Sequence, residues 1–217
     1  MSYCKAAPGH PWHGPYHDSE YGFPIDDDDR LFERLILEIN QAGLSWLTIL
    51  KKKQGFVAAY DNFHIDTVAT YGEAERSRLL ADAGIIRNKL KVNAAIENAK
   101  CIQTLQASHG SFKGWLDAHH PLPKDDWVKL FKKTFKFTGG VITGEFLMST
   151  GYLSGAHDAD CPVFARVAAI GPPWLEAAAW CRARKRFPYS CLRRWMRTTP
   201  WPAISTGLTA LFQSRRS

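Results

Sequence analysis

Three groups of residues in this sequence have types and spacings suited to chemistry. The first is acidic and aromatic: Tyr16, Asp18, Glu20 and Tyr21 in PYHDSEYG, then Glu38 and Trp46 in LILEINQAGLSW. Rings with a convergent carboxylate and phenol suit a pocket for a planar base, because the rings stack on its faces while the polar groups read its edge. An ordinary fold would use the same residues as a core tryptophan and a salt bridge from Glu38 to Arg34 or Lys52. The second group is His157 and Cys161 in GAHDADC, an H-x3-C spacing that lets two ligands meet one ion from successive turns. Cys4 and His17 would complete a Cys2His2 tetrahedron of the kind zinc takes. Cys181 and Cys191 compete as ligands, although their Arg-rich surroundings disfavour a cation. The third is the hairpin LLADAGIIRNKLKVNAAI, in which a helix closes on Gly84 and Asn88 can cap the next one. A glycine there takes the left-handed conformation cheaply, and the free N–H groups of the following helix suit one phosphate. Arg87, Lys89 and Lys91 surround that helix start. A plain αα-turn would use the same glycine.

The elements that must position these groups read as helices. An acidic run suits the positive end of a first helix from Asp28 to Asn40. At 100° per residue, Leu31, Phe32, Leu35, Ile36 and Ile39 share one arc, and Glu38 falls about 20° beyond its edge. A carboxylate at the lip of an apolar stripe is unusual unless paired or put to use. A loop through Gly43 leads to a second helix from Trp46, and residues 65–83 form one or two short helices. Beyond Asn88, Val92, Ala95, Ile96, Ala99 and Ile102 share one face of a strong amphipathic helix. Further helices begin near Lys124 and in VITGEFLMSTGYL. Residues 1–27 show no period and read as an irregular segment, one that a metal would pin to the far end of the chain. The body is predicted to be all-α.

Composition narrows the classes. The chain has 217 residues and 45% hydrophobic content, enough for a real core in one domain or two small lobes. The mean hydropathy is −0.27, and the absence of any long apolar run argues against a transmembrane helix. The opening MSYCKAAPGH lacks the apolar core of a signal peptide. Five scattered cysteines, an odd number, point to a reducing cytoplasm and not to a disulfide scaffold. The net charge of +7 belongs to the C-terminal stretch from Cys181 on, which holds nine Lys/Arg and no Asp/Glu. The body is therefore slightly acidic, and bulk charge alone does not make it a DNA binder. The Arg/Trp/Pro-rich stretch is either a solvated extension or a phosphate-binding tail.

Taken in order, YHDSEYGFP, LEINQAGLSWLTILKK, DAGIIRNKLKVNAAIENA, FKFTGGVITGEFLMSTGYL and HDADC closely resemble the DNA-3-methyladenine glycosylase I family over about residues 3–165. The resemblance implies a two-lobed, all-α, helix-hairpin-helix fold with one structural zinc. Residues 1–165 would be the glycosylase body, with 40–118 as the hairpin lobe and 1–39 plus 119–165 as the zinc lobe. Residues 166–217 would be a basic extension. It implies hydrolytic release of flipped-out N3-methyladenine from double-stranded alkylated DNA, without a strand-cleaving step, by a cytoplasmic monomer. The zinc ligands fall on Cys4, His17, His157 and Cys161, and the base pocket on Tyr16, Glu38 and Trp46, with Glu38 catalytic. Gly84, Arg87 and Lys89 fall in the phosphate-clamping hairpin. Gln41 to Leu44, with Gly43, fall in the probe that fills the gap left by the base. No hairpin lysine is placed as a Schiff-base nucleophile, which agrees with a monofunctional enzyme. The sequence departs from the family pattern at Ala6, His13 and Tyr21, so the pocket wall is built differently, with Trp12 as one replacement ring. A damage-binding protein without base release, or a zinc-pinned interaction module, are the other classes these residues permit.

Overall fold

The computed structural model describes residues 2–176, which are helical without a strand. The α-helices are α1 (Tyr3–Ala6), α2 (His13–Ser19), α3 (Asp28–Gln41), α4 (Trp46–Ala59), α5 (Ile65–Ala69), α6 (Glu73–Ala81), α7 (Lys89–His109), α8 (Phe112–His119), α9 (Lys124–Thr134), α10 (Gly140–Ser149) and α11 (Pro162–Ile170).

The acidic run before α3 organises more than its own helix. Asp27 caps α3 by accepting from the Arg30 N–H at 2.8 Å. Asp28 accepts from the N–H groups of Phe112 and Lys113 at 2.7 and 3.0 Å, at the start of α8. Asp29 accepts from the Ile65 N–H at 2.9 Å, at the start of α5. Three consecutive carboxylates thus satisfy three helix N-termini, where orphan N–H groups and the positive dipole end both favour them.

α3 is the central element and packs against α4, α5, α7, α8 and α10. It is buried nearly all round, because Arg34, Leu37, Glu38 and Asn40 are covered as well as the predicted arc. One apolar core joins α3 to Ile96, Trp127, Phe131 and Phe146, and a smaller cluster around Cys161, Val163 and Val167 meets Cys4 and Phe23.

The segment 1–27 differs from its irregular expectation by containing α1 and α2. They are four and seven residues long, too short to show a period. The His10 ring stands in for a cap, its Nδ1 accepting from the N–H groups of Trp12 and His13 at 3.1 Å each. At the other end, α11 runs through position 165, and Trp174 packs on Phe164 with ring centroids 5.9 Å apart. The basic stretch from Cys181, with Cys181 and Cys191, lies outside the described residues. Among the described residues no helix is long and apolar enough to cross a membrane.

Candidate active site and metal centre

Tyr16 on α2, Glu38 on α3 and Trp46 at the start of α4 converge. The Tyr16 ring lies 5.1 Å from that of Trp46, tilted by 58°, and its phenol sits within electrostatic reach of Glu38. Neither cation expected to pair with Glu38 does so. Arg34 donates through Nη1 to Tyr16 Oη at 2.7 Å and through Nη2 to Glu20 Oε2 at 3.1 Å. Lys52 donates to the Ala83 carbonyl at 2.6 Å. Glu38 is 3% exposed, and among the described residues no hydrogen bond reaches its carboxyl group. Burial pushes that carboxyl up to about 8, opposed by the charge of Arg34 and reinforced by that of Glu145. The Trp46 indole N–H is likewise buried without an acceptor.

Sequence reasoning named Tyr21 as a candidate here but missed Tyr3 and the part Arg34 plays. Arg34 is more than a rival salt-bridge partner: it lies over the Tyr16 ring at 4.8 Å and holds its hydroxyl. Tyr21 packs 5.6 Å from Tyr16 and donates to Glu145 Oε2 at 3.2 Å. Tyr3 meets Tyr21 edge-on at 5.4 Å and pairs through Oη with His13 Nδ1 at 3.1 Å. Trp12, named as a replacement ring, is 44% exposed, and Ala6 is exposed too. The aromatic set is completed by Tyr3 instead. Its position beside the ligand candidate Cys4 is the one signal that would have singled it out.

The loop Gln41–Leu44 projects from the end of α3, with Gly43 at φ +81° and Leu44 42% exposed. The adjacent hairpin is built differently from the expectation. Gly84 does not take the left-handed conformation, and α6 already ends at Ala81. The glycine is needed for close approach: a Cβ on Gly55 of α4 would meet the Gly84 carbonyl oxygen at 2.5 Å. Asp82 accepts the Gly84 N–H at 2.6 Å. Asn88 caps α7 as expected, accepting from Leu90 and Lys91 at 3.0 and 3.2 Å, so those amides are already satisfied. Lys91 turns inward, away from any phosphate, and donates to the carbonyls of Asn40 and Ala42 at 2.8 and 2.7 Å. It ties the hairpin to the loop after α3. Arg87 and Lys89 are exposed and have no ion pair among the described residues.

Cys4, His17, His157 and Cys161 come together with all four ligand atoms within 4.8 Å of one another. Cys4 Sγ lies 3.7 Å from His157 Nδ1, and Cys161 Sγ lies 3.7 Å from His17 Nε2. A tetrahedral ion with Zn–S of about 2.3 Å and Zn–N of about 2.0 Å has sulfur–nitrogen edges of roughly 3.5 Å, so the set fits such an ion. The remaining ring nitrogens are oriented as metal ligands usually are, His17 Nδ1 by Asp18 at 2.7 Å and His157 Nε2 by the Tyr21 carbonyl at 2.7 Å. Burial first, and the neighbouring Cys161, push the Cys4 thiol up to about 11, so a Cys4 thiolate here calls for a cation beside it.

Comparison with known proteins gives this geometry a context. The methyladenine glycosylase family model matches residues 6–165. DNA-3-methyladenine glycosylase 1 of Escherichia coli K12 is 34% identical over 173 residues, covering 71% of this chain and 92% of the relative. The Haemophilus influenzae DNA-3-methyladenine glycosylase is 30% identical, covering 70% and 95%. A structure concerned with 3-methyladenine recognition by the Staphylococcus aureus 3-methyladenine DNA glycosylase I superposes with a TM-score of 0.68 at 32% identity, over 75% of this chain and 96% of that one. With its helical fold, its buried carboxyl among rings and its Cys2His2 cluster, the chain belongs to the methyladenine glycosylase family.

Proposed function

We propose that this protein initiates repair of alkylated double-stranded DNA by flipping out N3-methyladenine and releasing it hydrolytically. The observation that carries the proposal is Glu38, a buried carboxyl with no hydrogen bond or ion pair among the described residues, set among Tyr16, Tyr21 and Trp46. N3-methyladenine carries a positive ring charge in DNA, so its glycosidic bond is already weakened and the leaving group needs no proton. The cationic base supplies the charge that Glu38 lacks. On its arrival the carboxyl gives up its proton to solvent, accepts hydrogen bonds from the adenine edge and holds the cation in a low-dielectric site. Tyr16 adds a polar contact, and the Trp46 ring adds a stacking face with cation–π character. Water attacks C1′, the C1′–N9 bond breaks, and its electron pair goes to N9, so the base departs neutral. The water proton passes to solvent. No covalent enzyme intermediate forms, and the strand is left intact.

Because Glu38 and Tyr16 are covered in the protein alone, a base that reaches them displaces side chains on entry. Extruding a nucleotide costs a few kcal/mol, least where the base is damaged. In this reading residues 40–118 form the helix-hairpin-helix lobe, and residues 1–39 with 119–165 form the metal-bearing lobe. The hairpin at Gly84 with Arg87 and Lys89 grips the phosphates, while Gln41, Gly43 and Leu44 fill the gap. Cys4, His17, His157 and Cys161 would hold one zinc ion, which would act structurally, four protein ligands being the set that structural zinc takes. The protein works as a cytoplasmic monomer.

The test is a base-release assay on methylated duplex DNA run beside binding to the same DNA. Release of N3-methyladenine with an intact strand is the expected result. Binding without release would replace the enzyme by a damage-binding protein, and neither would leave an interaction module.

A further inference from the structure

α10 packs against α3 and brings a second carboxylate, Glu145, toward the pocket that holds Glu38. The Tyr21 phenol lies within the electrostatic reach of both and donates to Glu145 Oε2 at 3.2 Å. Neither carboxylate forms an ion pair among the described residues. The nearby cations are committed elsewhere: Arg34 to Glu20 at 3.1 Å, and Lys53 to Glu20 at 2.6 Å and Glu33 at 3.6 Å. Lys124 lies across Gly144, one residue away, but forms no ion pair with Glu145. Both carboxyl groups lie near the Tyr21 phenol, neither is ion-paired among the described residues, and Arg34, whose charge reaches Glu38, is already engaged by Tyr16 and Glu20. Like charges that close disfavour double ionisation unless a ligand brings the missing cation.

We infer that Glu145 is a specificity-determining residue of the base pocket, a second carboxylate that restricts it to purines carrying a positive ring charge. The inference rests on the base pocket proposed above and extends it from one acidic group to two. Glu38 reads the edge of the base, and Glu145, oriented by Tyr21, sets how strongly a neutral purine is refused. Normal adenine has the same shape but brings no charge, so it leaves both carboxyl groups uncompensated. N3-alkylated adenine brings the charge.

Two small molecules separate charge from shape. 3,9-Dimethyladeninium is permanently cationic, and 3,9-dimethyl-3-deazaadenine, with carbon in place of N3, is its isostere, neutral when the titration is run well above the pKa of its N1. Calorimetric titration of the intact protein with each should show the cation preferred. Glu145→Gln should weaken the adeninium roughly tenfold, about 1.4 kcal/mol, while changing the neutral isostere less than about twofold. Glu145→Asp, which keeps the charge, should retain most of the preference. Equal weakening of both probes would mean that Glu145 is only structural and would overturn the inference. Unchanged adeninium affinity, or equal wild-type affinities, would do the same. If Glu145→Gln does not melt cooperatively, Glu145→Ala and the wild-type ratio carry the test. Charge-selective binding by a protein that releases no N3-methyladenine from DNA would contradict the proposed function and leave this inference standing.

Discussion

In the protein alone Glu38 holds its proton at pH 7, because burial lifts its carboxyl to about 8. Only the ionised form captures a cationic base, so kcat/KM, which reports the free enzyme, should rise about tenfold per pH unit up to about pH 8 and then level off. Glu38→Gln should slow base release and remove that pH dependence. A purified variant that released N3-methyladenine at the wild-type rate would strip Glu38 of its role. Stability carries the same signature with a definite sign. The folded state binds the Glu38 proton more tightly than the unfolded chain does. Wild-type stability therefore falls as pH rises from the ordinary 4.5 toward 8. At 1.36 kcal/mol per pH unit, Glu38→Gln should gain about 3 kcal/mol on wild type between pH 4.5 and pH 7, read by denaturant melts at both. The sequence located Glu38 at the edge of an apolar stripe. Its protonation follows from burial beside an Arg34 that is hydrogen-bonded to Tyr16 and Glu20 instead, a tertiary arrangement no helical period encodes.

Among the elements, the most consequential contact is between α4 and the hairpin. The Gly55 backbone lies so close to Gly84 that one added methyl group would meet a carbonyl oxygen at 2.5 Å. Gly55→Ala should therefore destabilise the fold by about 1–3 kcal/mol and weaken DNA binding, measured by thermal melting and by fluorescence anisotropy on duplex DNA. Arg87 and Lys89, exposed on the same hairpin, make a separate prediction. Replacing both by Ala should reduce the slope of log affinity against log salt by about 2 and leave the melting temperature nearly unchanged. An unaltered slope would remove them from the DNA interface. The helices α3, α4, α7 and α9 were legible because each is long enough to show a period or a cap, as Asn88 does for α7, and α10 was legible as an apolar run. The helices α1 and α2 were not, since capping by the His10 ring leaves no common sequence mark.

Across the described residues, the Cys2His2 cluster joins α1 and α2 to the segment before α11 over more than 140 positions of chain. His17 adjoins Tyr16, and Cys4 adjoins Tyr3, so an ion here would fix two pocket rings through their neighbours in sequence. Cys4→Ser or His157→Ala should abolish stoichiometric zinc and lower the melting temperature by roughly 10 °C, from a loss of about 3 kcal/mol. Metal analysis beside calorimetry checks it, and full occupancy in both variants would refute the ligand set. The residue types and their order along the chain already determined an all-helical protein, the four metal-ligand candidates and the identity of the carboxylate. Local signals suffice for these, because period, caps and motif spacing are properties of neighbouring residues. Only the tertiary structure decided that Glu38 forms no ion pair among the described residues, that Lys91 props the loop, and that Tyr3 and Glu145 come near Glu38. Those facts depend on which distant side chains meet and on how each donor is already engaged, and both are settled by packing.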